Sequence, residues 1–287
     1  MNAPYQVQGS PEWHDFKKLR IGSSESATIL GINNYCTPYT LWLEKTGRKP
    51  PRETTYAMTR GVELEPIARQ RFIEETGIFI TPRVMVHPKY DYLIASLDGI
   101  SDGMNIVEIK CPSRSSISHQ MALRGDVLDV YQCQMQHQCL VTGADMIYYY
   151  SFDGQEGVLL KVYRDDKFIE NLLHVEQEFY QHLINDTPPP LTDKDYLDFS
   201  DNEAFVALAK EYSATKTQLK ALEERREALG NALMALANKQ PCKGGGIRIQ
   251  HYHRKGSVDY SKIPELKGVD LDFYRKDGTD VWSIVND

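Results

Sequence analysis

The alternation of apolar and polar positions divides the first two thirds of the chain into helices and strands. Residues 59–75 carry apolar side chains at helical spacing before Gly77, which predicts a helix that stops there. Residues 92–100 and 106–110 are rich in apolar and β-branched side chains and predict a pair of strands. Residues 126–140 predict a second helix, and residues 146–152 and 157–163 predict a second strand pair. This order of elements indicates a mixed α/β domain.

A run of three prolines at residues 188–190 interrupts the pattern, because proline ends a helix and stiffens a linker. We therefore expect a domain of residues 1–186 and a C-terminal extension of residues 187–287. The glycine run at residues 244–246 is expected to end a helical region. Short strands should follow in residues 247–285, with a hairpin turn at Asp277 and Gly278.

A heptad-like stripe dominates the extension. Between residues 212 and 236, apolar side chains recur at alternating steps of three and four residues. The spacing predicts one long helix, or two helices with a break near Gly230. Arg226 interrupts the stripe, so we expect it to pack within its own domain, with binding of a partner protein as the alternative.

The first strand pair carries three charged residues that suit metal-assisted chemistry. Glu108 and Lys110 share a face of their strand, because side chains alternate along a strand. Asp98 lies on the preceding strand, and we expect Asp102 and Gly103 to form a hairpin turn with positive φ that brings it alongside. Two carboxylates suit Mg²⁺, and a lysine beside them can orient or deprotonate a water molecule. The alternative is an ordinary solvated face, but the apolar neighbours favour a buried site.

Two further polar residues are candidates for the same site. Glu65 lies in the first predicted helix, where it either faces the sheet or stabilises the helix N-terminus through the helix dipole. Glutamines alternate at residues 132, 134, 136 and 138 of the second helix, so at least one of them should face inward and need a partner. We select Gln134 as a ligand of a metal-bound water molecule or of the scissile phosphate.

Residues near the start of the chain and of the first helix are candidates for phosphate contacts. Ser24 is expected to be a helix N-cap with Arg20 nearby, an arrangement that either holds a phosphate or simply caps a helix. Arg60 belongs to a basic segment with Tyr56 that suits the DNA backbone or a solvated loop.

Composition limits the classes of function. The formal net charge of -7 argues against a protein that coats nucleic acid through its overall charge, so DNA contacts must use a local basic lining. Five cysteines without CxxC spacing suggest neither a zinc ribbon nor a disulfide framework, and fit a reducing cytoplasm. The chain shows no signal-peptide pattern and no long apolar segment, so we expect a protein that is not exported and has no membrane partner.

An ordered series of short motifs between about residues 11 and 183 resembles the lambda exonuclease and YqaJ-type viral recombinase nucleases of the PD-(D/E)XK superfamily. The series consists of Trp13-His14, Leu19-Arg20-Ile21-Gly22, Ser24-Glu25, Arg60-Gly61 with Glu65, Ser96-Leu97-Asp98-Gly99, Glu108-Ile109-Lys110-Cys111-Pro112, Tyr131-x-x-Gln134-x-Gln136 and Val141-Thr142-Gly143. Asp98 and the Glu108-Ile109-Lys110 tripeptide correspond to the D…ExK signature. The region after Pro190 has no counterpart in the short lambda-type enzymes.

The resemblance implies a restriction-endonuclease-like core, with a central mixed sheet flanked by helices. It implies an exonuclease that uses two Mg²⁺ ions, with Mn²⁺ as a substitute, to degrade the 5′-ended strand of linear duplex DNA and leave a 3′ overhang. It further implies a ring-shaped homotrimer, a single-strand annealing protein as partner, and a phage or prophage protein in the bacterial cytoplasm.

The resemblance also assigns roles to single residues. Asp98, Glu108 and the backbone carbonyl of Ile109 would bind the metal ions, and Lys110 would position the attacking water. Glu65 and Gln134 would support the metals and that water, whereas Arg20 and Ser24, together with Arg60, would contact the 5′ phosphate and the DNA.

Two other functions remain open from the sequence. The first is a different nuclease on the same core, such as a restriction-type endonuclease; an iron-sulfur variant is disfavoured because four suitably placed thiolates are missing. The second is a non-catalytic loader or adaptor for an annealing protein. The intact set of Asp98, Glu108, Lys110 and Glu65 argues against a silent module.

Overall fold

The computed structural model describes residues 16–50 and 53–251, together with residues 256, 262–266 and 269. The chain divides into two compact units, Met1–Leu197 and Asp198–Asp287, so the division lies after the boundary at residue 186 expected from the sequence. The intervening residues belong to the first unit because Asp195 accepts a hydrogen bond from the Thr37 hydroxyl. Asp186, at the expected boundary, binds Arg48, with Nη1 2.7 Å from Oδ1.

The first unit combines a sheet with helices on both of its faces. Its strands are β1 (Ile21–Gly22), β2 (Thr81–Val86), β3 (Leu93–Ile100), β4 (Ile106–Lys110), β5 (Met146–Phe152) and β6 (Gly157–Tyr163). Its α-helices are α1 (Ser26–Ile29), α2 (Pro38–Lys45), α3 (Tyr56–Thr76), α4 (Ile117–Leu123), α5 (Asp129–Thr142) and α6 (Asp166–Ile184). The helices predicted at 59–75 and 126–140 and both predicted strand pairs are confirmed, with small shifts at their ends.

Strand β3 pairs with three other strands of the mixed sheet. β2 runs antiparallel along one edge of β3, with Val86 opposite Ile94. The other edge is shared: β1 runs parallel to the start of β3, and β4 runs antiparallel to its end. β4 then pairs in parallel with β5, and β5 pairs antiparallel with β6. The sheet is therefore mixed, as the resemblance implied.

The connection between β3 and β4 differs from the predicted turn. The residue with positive φ is Met104, at 60°, and not Gly103. The Met104 amide donates to the Ser101 carbonyl at 3.0 Å, and the Ser101 amide donates to the Asn105 carbonyl at 2.9 Å. The loop spans residues 101–105, and its left-handed residue is the fourth of these. It is therefore longer than a two-residue hairpin turn.

Apolar side chains cover both faces of the sheet. On one face, α3 buries Ala68 and Phe72, each 0% exposed, in a cluster with Val107 and Tyr150. On the other face, Met135 of α5 belongs to the larger cluster, which also contains residues of β3, β5 and α6. Burial of these faces is what holds α3 and α5 on opposite sides of β4.

The second unit begins with α7 (Glu203–Leu236), one helix that continues through Gly230. β7 (Cys242–Gly244) and β8 (Ile247–Ile249) follow as an antiparallel hairpin. Gly245 and Gly246 have φ of 54° and 80°, so the glycine run forms this hairpin turn and does not end the helix as expected. Asp277 and Gly278 lie outside the described residues. No helix in the described part of the chain is both long enough and apolar enough to span a membrane.

Candidate active site

The candidate site forms where β3 and β4 separate. The two strands pair only at Gly99 with Val107 and at Ile100 with Ile106, and then diverge. In the resulting fork, Asp98 Oδ2 accepts a hydrogen bond from the Ile109 amide at 2.8 Å. A side chain thus takes the place of the missing backbone pairing and fixes Asp98 beside the strand that carries Glu108 and Lys110.

The Glu108 carboxylate is 1% exposed and is surrounded by hydrogen-bond donors. Lys110 Nζ lies 2.5 Å from Oε1, and Gln134 Nε2 donates to the same oxygen at 2.7 Å. Gln138 Nε2 donates to Oε2 at 2.5 Å. Gln134 and Gln138 are four residues apart on α5 and therefore project from the same face of the helix. Lys110 also donates to Gln134 Oε1 at 3.1 Å, which closes the network.

Carboxylates outnumber cations in this fork. Burial raises the pKa of Asp98 well above its ordinary value, and the nearby Glu108 raises it further. Burial alone would lower the pKa of Lys110, but Glu108 and Asp98 outweigh burial and raise it. Lys110 therefore stays protonated at neutral pH, although its single charge does not balance the acidic side chains around it.

Glu65 faces the same fork from α3. It lies in the middle of this helix and not near its N-terminus, because the helix begins at Tyr56. Burial raises the pKa of Glu65, with Arg69 opposing the shift and Glu108 adding to it. Arg69 pairs with Glu65 through Nη2 and donates from Nε to the Asp98 carbonyl at 2.7 Å. Arg69 thus links α3 to β3 at the fork.

A divalent metal ion fits this donor set. Asp98 and Glu108 offer hard carboxylate oxygens, and the backbone carbonyl of Ile109, between Glu108 and Lys110, would be a third donor. Within the described ranges, no group of three or more His, Cys, Asp or Glu side chains is arranged to hold an ion. Mg²⁺ commonly uses only one or two carboxylates and completes its shell with water and substrate phosphate. Burial is the largest cause of the raised pKa of Asp98 and the charge of Glu108 adds to it, so a bound cation would favour the ionised carboxylate.

Ser24 follows β1, which is separated from β4 by a gap along the same edge of β3. β1 and β4 approach this gap from its two ends, because they pair with the start and the end of the same edge of β3. Ser24 follows β1 within a 3-10 turn, Ser23–Glu25, and is exposed. The expectation that Ser24 is the N-cap is wrong, since Gly22 is the N-cap of this turn. A phosphate contact by Ser24 stays a prediction.

Arg20 precedes β1 and binds backbone carbonyls. It donates from Nε to the Asp91 carbonyl at 3.2 Å and from Nη1 to the Phe16 carbonyl at 2.8 Å. Its guanidinium also lies 4.1 Å from the centre of the Phe16 ring. Lys45 of α2 fixes the Arg20 backbone by donating to its carbonyl at 2.6 Å. These contacts hold Arg20 beyond the start of β3, and its phosphate contact stays a prediction.

Arg60 is a tether for the segment after β4. Its Nε donates to the Cys111 carbonyl at 3.2 Å, and its Nη2 donates to the Pro112 carbonyl at 3.3 Å and to the Asp153 carbonyl. This arginine therefore joins α3 to the backbone that follows Lys110. Its contact with DNA also stays a prediction.

Two residues of the site were not predicted from the sequence. Gln138 belongs to the glutamine run, but the alternate spacing of the run does not distinguish it from its neighbours. Its 0% exposure and its bond to Glu108 identify it in the structure. Arg69 lies four residues after Glu65, a spacing that indicates a helical ion pair. The Glu65–Arg69 spacing was the signal available in the sequence.

Comparison with known proteins adds to this geometry. Residues 12–145 match the family model described as the YqaJ-like viral recombinase domain. This region of the chain is therefore similar to YqaJ-like viral recombinase domains. The uncharacterized protein YqaJ of Bacillus subtilis (strain 168) is 26% identical over 244 residues, which cover 77% of this chain and 76% of that protein.

Solved structures give the fold of this YqaJ-like domain. The alkaline exonuclease LHK-Exo from Laribacter hongkongensis is 27% identical, with a TM-score of 0.53, and the match covers 62% of this chain and 94% of that chain. Its complex with dAMP matches with a TM-score of 0.54 and the same coverage. The fold is that of the PD-(D/E)XK exonucleases, and these relatives support a nuclease activity.

Proposed function

We propose that the chain is a Mg²⁺-dependent exonuclease that degrades the 5′-ended strand of linear duplex DNA and leaves 3′ overhangs for single-strand annealing. The observation that carries this proposal is the fork itself, where Asp98 is bound to the Ile109 amide beside a buried Glu108. The likeness to an alkaline exonuclease that was solved with dAMP supports DNA as the substrate.

The residues of the fork divide the work of phosphodiester hydrolysis. Asp98, Glu108 and the Ile109 carbonyl would hold Mg²⁺, which when bound polarises the phosphate and lowers the pKa of a coordinated water molecule. Gln134 and Gln138 keep the Glu108 carboxylate in one orientation through bonds of 2.7 and 2.5 Å. Fixed oxygens of this kind are what a transient, partly hydrated ion requires.

Lys110 supplies positive charge at the reacting phosphate. Its ammonium group is held by Glu108 and Gln134 and lies 5.0 Å from the centre of the Tyr131 ring. Because its pKa is raised, it remains charged and can orient the attacking water or stabilise negative charge that develops on the phosphate. A lysine already fixed in this way needs no reorganisation during the reaction.

The assembly and the partner belong to the same proposal. A ring-shaped homotrimer would enclose the duplex, and a single-strand annealing protein would receive the 3′ overhang. The net charge of -7 means that DNA must be held by local contacts, for which Arg20, Ser24 and Arg60 are the candidates.

Replacement of one carboxylate tests the proposed chemistry. Asp98→Asn keeps the size of the side chain but removes a metal ligand, so we expect Mg²⁺-dependent digestion of linear duplex DNA to fall by about 100-fold or more. Asp102→Asn, on the exposed loop that follows β3, is the matched control and should retain activity. Full activity of Asp98→Asn would contradict the proposal, and equal cutting of supercoiled circular DNA by the wild type would indicate an endonuclease.

A further inference from the structure

The heptad pattern of α7 begins before residue 212, where the predicted stripe started. Counting from Phe205 as position a, the alternating steps of three and four residues continue without interruption to Leu236 at position d. Eight of these ten positions are leucine or aromatic residues, and the exceptions are Thr215 and Arg226. The stripe therefore covers nearly the whole of the 34-residue helix.

This stripe is exposed. No residue of α7 is buried, and its described leucines at the a and d positions include Leu208 at 67%, Leu222 at 66% and Leu229 at 50% exposure. Helices in proteins owe most of their stability to packing of an apolar face. An apolar stripe along about 51 Å of helix therefore calls for a matching apolar surface.

We infer that α7 pairs with α7 of a second copy of this chain in an antiparallel coiled coil. In the register that opposes Phe205 to Leu236, Leu219 packs against Leu222 of the second copy at the centre. The same register places Arg226 opposite Thr215 of the second copy. The two polar positions of the stripe therefore meet each other, and every other layer is apolar.

Charge distinguishes this orientation from a parallel pair. In a parallel pair in register, Arg226 would face Arg226 of the second copy inside the seam, where like charges repel and are costly to desolvate. In the antiparallel pair, Arg226 meets a threonine hydroxyl that can accept its hydrogen bond. Arg226 therefore disfavours the parallel orientation.

The flanking positions agree with the antiparallel register. Lys216 and Glu223 both occupy position e, and antiparallel pairing sets position e of one helix beside position e of the other. Each Lys216 then lies beside Glu223 of the second copy, twice in each pair. Within one helix these two residues are seven positions apart, so their opposite charges do not meet there.

The mass of the full-length protein tests the pairing. Leu222→Glu puts a charge into the centre of the seam, whereas Ala221→Glu adds the same charge at the neighbouring position on the outer side. We expect light scattering after gel filtration to show that Leu222→Glu about halves the mass of the assembly and that Ala221→Glu preserves it. The pairing is overturned if all three proteins have the same mass. Far-UV circular dichroism serves as the check that each variant keeps its helices.

Charge reversal tests the orientation without disturbing the apolar seam. Lys216→Glu should weaken self-association roughly fivefold or more, and the added change Glu223→Lys should restore it. In a parallel pair, Lys216 would lie beside Glu211 of the second copy, so Glu211→Lys would be the restoring change. Rescue by Glu211→Lys alone, or no effect of Lys216→Glu, would overturn the antiparallel proposal. These variants also decide the question if Leu222→Glu does not fold.

Discussion

The Glu108 carboxylate shows how single side chains define the candidate site. An ionised carboxylate that is 1% exposed is costly to bury unless donors surround it, and Lys110, Gln134 and Gln138 provide them. Glu108, Lys110 and Gln134 were predictable because strand alternation and a buried amide indicate them. Gln138 was not, because its partner depends on how α5 packs across the sheet.

Gln138 can be separated from its neighbour Gln136 by substitution. Gln138→Leu removes the bond to Glu108 Oε2, so we expect the nuclease rate to fall about 10- to 100-fold, together with a loss of about 1–3 kcal/mol of stability because a buried carboxylate oxygen loses its donor. Gln136 instead bonds the Tyr163 carbonyl at 2.8 Å and the Asp165 amide at 2.8 Å, so Gln136→Leu should cost about 1–3 kcal/mol of stability and keep the rate. Initial rates and urea unfolding of both variants measure this. An unchanged rate in Gln138→Leu, with a lowered rate in Gln136→Leu, would refute the role given to Gln138.

A second buried charge pair lies between α5 and α6. His137 and Glu176 are both 0% exposed, with Nδ1 2.7 Å from Oε1. His137 Nε2 lies 3.0 Å from the Ile94 carbonyl, which can only accept a hydrogen bond, so Nε2 carries a proton. Burial alone would lower the pKa of His137, but Glu176 and this carbonyl outweigh burial and raise it. The pair thus joins α5, α6 and β3 through one imidazole ring.

This pair should make stability depend on pH. His137→Gln leaves Glu176 buried without its cation and should cost about 3–5 kcal/mol near pH 6. Because folding raises the pKa of His137 above 6.5, its contribution is complete below that pH and is lost as the pH rises through the folded-state pKa. The matched control is His174→Gln, which affects an exposed pair with Glu178 and should cost well under about 1 kcal/mol. Denaturant unfolding over a pH series measures both, and equal, pH-independent losses would count against the ion pair.

Among the elements, those with a strong local pattern were predictable. β5 and β6 match the predicted ranges because apolar and aromatic residues mark them clearly. β1 has two residues and β2 lies exposed along part of its length, so neither has a recognisable pattern. The divergence of β3 and β4 follows from pairing with β1 and β5, which no local signal contains. Glycine positions in the sheet show the same dependence on distant contacts.

Gly157 illustrates such a contact at the start of β6. A Cβ atom there would lie 2.0 Å from the hydroxyl oxygen of Tyr150, whose ring is fully buried. Gly157→Ala should therefore destabilise the first unit by about 1–3 kcal/mol. Gly61→Ala, in α3 with no atom within 4 Å of the added Cβ, should stabilise it by up to about 1 kcal/mol. Thermal unfolding compares the two, and a neutral Gly157→Ala would show that Tyr150 can move aside.

At the scale of the whole molecule, the separation of β3 and β4 explains where the candidate site lies in the nuclease fold. Helices on both faces of the sheet deliver Glu65 from α3 and Gln134 from α5 to the edge where β4 leaves β3. The order of motifs was sufficient to indicate this core, and the match to LHK-Exo covers 62% of the chain. The role of α7 was not predictable from the core motifs, because α7 lies outside residues 12–145, which match the family model.

We propose that the fork removes nucleotides from the 5′-ended strand of linear duplex DNA. The most direct measurement follows linear duplexes labelled at either the 5′ or the 3′ end, with and without a 5′ phosphate, in the presence of Mg²⁺ or EDTA. We expect early release of the 5′ label as small products, a persistent 3′-labelled strand, faster digestion of 5′-phosphorylated ends and no digestion in EDTA. Release of the 3′ label first, or digestion that persists in EDTA, would contradict it.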